Sequence, residues 1–313
     1  MNKLNTALTT GAVAVTLLAG ANVYAQDNSD ITRYGPETFT ADEFEVDGFA
    51  GTIEVIVEAR EGIEISAFGP ADKMERFEVD HQSDTVEVSY DEVRFRWNDW
   101  NTWLGWWRDT NFEPEDYPVV TVRLPAGTAV DVDGMTGGFN MGDLNGPLRF
   151  SGAGAIDGTI GDVRSADFDI AGAAELSFGD VAGPLSISVA GAADLSGGSA
   201  SSVDISLRGA SDIALGDIAG GVDISIAGAG DVEIASMNGD FDVSIAGSGD
   251  IEVGEGRAET FDVSIAGSGE VTFRGTAVNP SVSIAGMGDV FIERYEGNLS
   301  HSGMGDVNIG SGS

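Results

Sequence analysis

Carboxylates are the groups in this sequence whose spacing could support chemistry. Asp194, Asp212, Asp231, Asp250, Glu270, Asp289 and Asp306 recur at near-constant intervals, each just after a glycine-rich corner. Asp204, Asp223, Asp242 and Asp262 form a second series with the same spacing. If each series lies on successive coils about 4.8 Å apart, its oxygens could share calcium ions, which take hard oxygen ligands. Asp212, Asp231, Asp250 and Asp289 are the candidate ligands. The competing expectation is structural: aspartate beside glycine suits a turn by bonding its own backbone, and the charge keeps the protein soluble. The calcium nonapeptide G-G-x-G-x-D-x-U-x is not matched, because here the acid follows the glycine directly. No other cofactor is expected.

All five tryptophans lie in one segment, 96–108, as Trp97, Trp100, Trp103, Trp106 and Trp107. That spacing permits a short helix with one aromatic face. The face could cover an end or side of the molecule, stack on sugars or a partner protein, or insert into a membrane, the last opposed by Asp99, Asp109 and the overall charge. Nucleophilic catalysis finds little material. His81 and His301 are far apart, and Ser225, Ser244, Ser264 and Ser283 repeat like the acids. A catalytic serine is one residue in one strained place rather than a column. Arg208, Arg257, Arg274 and Arg294 could serve as bases, but no feature singles one out. The chain is read as having no catalysis of its own.

The elements that must position these residues are strands. From 134 onward the corner glycines recur at Gly152, Gly172, Gly191, Gly209, Gly228, Gly247, Gly267, Gly286 and Gly303, with Gly134 a degenerate first member. Between corners the pattern alternates: Phe241, Val243 and Ile245 point one way, and Asp242 and Ser244 the other. Alternation with period two, rich in Val and Ile, predicts half-buried strands. A unit of about nineteen residues buries too few side chains to fold alone, so units must stack. The expectation is an all-β, right-handed parallel β-helix of about nine to ten rungs over 134–313. A β-rich region over 26–133, with the tryptophan segment inserted, precedes it.

Composition excludes several classes. The 313 residues carry 52 Asp and Glu against 15 Lys and Arg, a net charge of −37. A surface of that sign does not bind nucleic acid, and it is repelled by anionic membranes. There is no cysteine, hence no disulfide and no thiolate chemistry. Lys3, the apolar stretch 12–21 and Val23-Tyr-Ala25 read as a secretory leader over 1–25. No later segment is apolar enough to span a bilayer as a helix. An exported protein is expected in the periplasm, at the cell surface or outside the cell.

The recurring Ser-Ile-Ala-Gly at 225–228, 244–247, 264–267 and 283–286, followed by Gly-Asp-Val, resembles the head GIN domain of putative auto-transporter adhesins. Phe44-Glu-Val-Asp-Gly48, Gly62-Ile-Glu-Ile65, Asp84-Thr-Val-Glu-Val88 and Val120-Thr-Val-Arg-Leu-Pro125 are similar to the family's opening strands, so the resemblance runs over roughly 39–310. It implies a β-helical fold, a surface or periplasmic place, and no catalytic residues. No auto-transporter barrel follows the repeats in this sequence.

The function expected is adhesin-like binding to a cell-surface glycan or an envelope protein. The rivals are a structural envelope solenoid without a specific ligand and, third, a polysaccharide-cleaving β-helix enzyme. Weak self-association through the C-terminal edge, around Val307, is a further expectation, because exposed strand edges pair.

Overall fold

The computed structural model describes residues 31–90 and 117–310. The expected leader over 1–25 and the tryptophan segment therefore lie outside the described residues. The chain is nearly all strand, a β-solenoid of about nine turns.

The solenoid proper is built by β7 (Ala129–Met141), β8 (Pro147–Ile160), β9 (Ser165–Phe178), β10 (Val181–Gly197), β11 (Ala200–Ile218), β12 (Val222–Gly247) and β13 (Asp250–Gly267). It continues through β14 (Glu270–Val278), β15 (Ser281–Gly286), β16 (Asp289–Glu296), β17 (Ser300–Gly303) and β18 (Asp306–Ile309). Every pairing from β7 to β18 is parallel, and residues seventeen to twenty apart sit opposite one another. Strands that coil in one direction pair this way because each feeds the next through a corner.

Alternation sets inside and outside as expected. Val232, Ile234, Val243 and Ile245 are buried, while Asp231, Asp242 and Ser244 are exposed. The interior is a stack of like residues, with Phe139, Phe150 and Phe168 in one run and Phe241, Phe261 and Phe273 in another. Each Val, Ile or Phe buried this way contributes about 1.5–3 kcal/mol relative to exposure.

The stacking passes through residue 134 without a break. β2 (Glu43–Val57) runs parallel to β7 with twelve registered pairs, from Glu43 opposite Ala129 to Val55 opposite Met141. On its other side β2 meets β5 (Thr85–Tyr90) along its first half and β6 (Val119–Leu124) along its second. Only then does the pattern change. β3 (Ile63–Pro70) pairs antiparallel with β6 and with β1 (Ile31–Phe39), and β4 (Phe77–Gln82) antiparallel with β5. A single helical turn, α1 (Ala71–Met74), buries Met74 beside them. These antiparallel strands close the N-terminal end of the stack.

Two corner alignments differ from the expected ones. Gly172 sits opposite Gly154, not Gly152, because β8 and β9 pair eighteen residues apart along their whole length, which places that corner two residues later. A side chain at Gly152 would instead run into that of Ile156. At the other end Gly303 lies opposite Ile284, although Asp306 stays opposite Asp289. The last unit is two residues short, and the deficit is absorbed at the corner.

Candidate functional site

The corner glycines decide where the acids go. At Gly247 the backbone has φ +148°, and a Cβ there would lie 2.0 Å from the carbonyl oxygen of Gly228 on the coil before. The column Gly172, Gly191, Gly209, Gly228, Gly247, Gly267 and Gly286 lets successive coils approach this closely. Each corner then delivers the next acid to the same place on the following face.

The first acidic series becomes one continuous column. Asp157, Glu175, Asp194, Asp212, Asp231, Asp250, Glu270, Asp289 and Asp306 are successive opposite pairs. All four calcium candidates, Asp212, Asp231, Asp250 and Asp289, stand in it, with Glu270 between the last two. Asp157 was missed in the sequence because its corner is the displaced one. Two of these carboxylates bond along the stack rather than to their own turn. Asp231 Oδ1 accepts the backbone N–H of Asp250 at 3.4 Å, and Asp250 Oδ1 that of Glu270 at 3.0 Å. Among the described residues no group of three or more His, Asp or Glu side chains converges as a metal cage. The column forms one margin of a shallow trough of about 800 Å³, which Asn140, Thr159, Ser177, Ser196, Glu233, Glu252 and Thr272 complete.

The second series lies on the adjoining face and is longer than its repeat suggests. Asp204 is opposite Asp223, and Asp242 opposite Asp262. In the other direction the column runs through Ser186, Asp167, Arg149 and Asp131 to Glu45 and Glu87. Parallel to it, two residues along each strand, runs the serine column: Ser188, Ser206, Ser225, Ser244, Ser264, Ser283 and Ser302, with Asp169 before them. A trough of about 850 Å³ follows this face from Glu43 and Asp131 to Asp242 and Thr260.

Burial and crowding together shift the acids of this face. Partial burial raises the pKa of Asp223, and Asp204 and Asp242 on either side add to the effect. Burial also raises Glu45, followed by Glu87 and Asp131 above and below it. Asp131 is raised by burial against the opposing pull of Arg149, whose guanidinium lies 4.0 Å from its carboxylate. These carboxyls hold protons more readily than free ones chiefly because burial disfavours the charged form, with like charges one coil apart adding to it.

A third acidic set went unrecognised in the sequence and has a different task. Asp143, Asp162 and Asp180 stand on another corner, where Asp162 N–H donates to Asp143 Oδ1 at 3.1 Å and Asp180 N–H to Asp162 Oδ1 at 2.8 Å. Ser199 donates both its N–H at 2.8 Å and its hydroxyl at 2.9 Å to Asp180 Oδ1. Those bonds favour the ionised form and lower the Asp180 pKa, the backbone bond contributing most. The signal was available as Gly142-Asp143, Gly161-Asp162, Gly179-Asp180 and Gly198-Ser199, a second period beside the more regular Gly-x-Gly-Asp.

The remaining candidates are scattered. His81 Nε2 lies 3.1 Å from the Thr40 carbonyl oxygen at the N-terminal end, whereas His301 is on β17 at the opposite end. Arg257 bridges Glu259 and Glu296, each at 3.0 Å, and Arg274 pairs with Glu252. No serine, histidine and acid converge among them. Trp97, Trp100, Trp103, Trp106 and Trp107 lie outside the described residues.

No helix among the described residues is long and apolar enough to cross a membrane. No curated protein matches the chain. Solved structures that resemble it include an adhesin of Bacteroides fragilis NCTC 9343, described as putative, at 13% identity and TM-score 0.37, covering 90% of this chain and 98% of that one. A lipid binding protein of Parabacteroides distasonis ATCC 8503, also described as putative, is similar at 13% identity and TM-score 0.40, with 90% and 97% covered. In the sequence itself, residues 222–312 match the family model described as putative auto-transporter adhesin, head GIN domain.

Proposed function

We propose that this chain is an exported, non-catalytic binding protein of the cell envelope, adhesin-like in that it presents a long repetitive surface to a glycan or an envelope protein. One observation carries the reading. The outward chemistry is the same from coil to coil, with aspartate and serine two residues apart on one face, as in Asp223 with Ser225, Asp242 with Ser244 and Asp262 with Ser264. A catalytic site needs one unlike residue in one strained position, whereas a polymer or a broad partner is held by many weak, equivalent contacts. The family match over residues 222–312 supports the same reading. The sign of the face narrows the ligand: carboxylate columns repel acidic polymers, so a neutral or cationic glycan, or a basic protein surface, fits better.

The test is saturable binding of the labelled chain to envelope fragments and to immobilised neutral, cationic and acidic glycans. Binding to neutral or cationic polymers is expected, reduced at least tenfold when Asp223, Asp242 and Asp262 are together changed to Lys. An absence of saturable binding would leave the purely structural solenoid. Release of oligosaccharides from an acidic polymer would support the enzyme instead.

A further inference from the structure

The two ends of the stack are unlike. Antiparallel β1, β3 and β4 close the N-terminal end. At the other end β17 pairs only with β15, and β18 only with β16. Their outer backbone donors and acceptors have no ladder partner among the described residues. Among the described residues nothing covers the interior there either. Val307 and Ile309 continue the buried columns of Val290 and Ile292, yet Val307 is only partly buried and Ile309 is 38% exposed. All the large exposed apolar side chains among the described residues, Met287, Tyr295, Met304 and Ile309, belong to these final coils.

Charge selects the occupant. The protein is strongly acidic, but β17 carries no carboxylate and β18 only Asp306. A two-fold axis at Asn308 would pair β18 antiparallel with its copy. That register sets Asn308 against the partner's Asn308 and Val307 against the partner's Ile309, so no two aspartates are directly opposed. Stacking head to tail is obstructed by the antiparallel cap, which leaves the closed, isologous arrangement. We infer that the C-terminal coil is a tail-to-tail contact surface for a second copy of this chain.

The contact is small. Two four-residue strands, each about 13 Å long, cover a few hundred Å² at most, against roughly 800 Å² per partner in a standard stable interface. The dimer is therefore weak, with a Kd of roughly 0.1–1 mM. It strengthens with salt, because screening removes the repulsion between two negative bodies.

Sedimentation of the full chain over a wide concentration range, in low and high salt, tests this. Concentration-dependent dimer in high salt is expected. Asn308→Asp should weaken it at least fivefold, since that side chain is exposed in the monomer and adds two charges beside the axis. Val307→Lys should abolish it, and circular dichroism checks that this variant is still folded. If it unfolds, Asn308→Asp decides the matter. Because the chain has no cysteine, Asn308→Cys provides a geometric check. Air oxidation should join two copies by a disulfide at this position but not at Ser225→Cys in the middle of a face. A wild type that stays monomeric in high salt would overturn the inference. So would a dimer indifferent to both edge variants, or equal cross-linking at the two cysteines.

Discussion

Replacing Gly247 by alanine probes the geometry on which the whole stack depends. The added Cβ would lie 2.0 Å from the Gly228 oxygen, 3.0 Å from its carbon and 3.1 Å from its nitrogen. Ordinary contact begins near 3.4 Å, so the corner has to open by more than an ångström. That same oxygen accepts the Ser248 N–H at 2.9 Å, and the movement breaks this bond. Losing it costs about 0.5–1.5 kcal/mol. Holding a residue with a side chain at φ +148° costs about 1–3 kcal/mol more. The total is about 2–4 kcal/mol, which lowers the melting temperature by roughly 3–7 °C in a chain of this size. Gly142→Ala is the matched control. Its nearest neighbours, the Cβ, a methyl and the backbone nitrogen of Val57, lie 3.9–4.0 Å away, and the change should be neutral or stabilise by up to about 1 kcal/mol. Thermal and urea melts followed by circular dichroism provide the comparison, with hydrogen exchange at Ser248 locating the damage. If Gly247→Ala melts within a degree or two of Gly142→Ala, the close approach of coils is not what the glycine column provides.

Other consequences can be checked with the same melts. The Ser211 hydroxyl is buried without a partner, and Ala193 holds the equivalent place one coil earlier, so Ser211→Ala should stabilise by about 1 kcal/mol; a loss of stability would mean the hydroxyl is satisfied. Glu45, Asp131 and Asp223 have raised pKa values in the fold, so the native state binds more protons than the unfolded chain. Stability should therefore rise as pH falls from neutral toward the ordinary carboxylate range, and decline below it as groups like Asp180, whose pKa is lowered, become protonated. A melting temperature that only falls from pH 7 downward would refute that sign. Any salt at matched ionic strength should raise the melting temperature by screening the columns. A rise of several degrees produced by millimolar calcium and not by magnesium would instead establish metal binding at Asp212, Asp231, Asp250 or Asp289.

The period and the alternation in the sequence determine a great deal here. Side chains on a strand point to opposite faces with period two, so Phe241, Val243 and Ile245 can be placed inside, and Asp242 and Ser244 outside, from their order alone. The missing cysteines likewise need no coordinates to exclude disulfides. Which residue stands above which is another matter, because coil lengths vary between seventeen and twenty residues and the variation is absorbed at corners. A two-residue displacement keeps every side chain on its face while changing its neighbour, which is why Gly154 rather than Gly152 meets Gly172, and why Asp157 joins the acidic column. The N-terminal coils show no period at all. Glu45 lies between Glu87 and Asp131, more than forty residues away on either side, because parallel stacking joins segments that share only a length and an apolar face. The Asp143, Asp162 and Asp180 ladder depends on the same three-dimensional fact: each carboxylate acts on the backbone of the next coil, and sequence order records the interval but not the hydrogen bond.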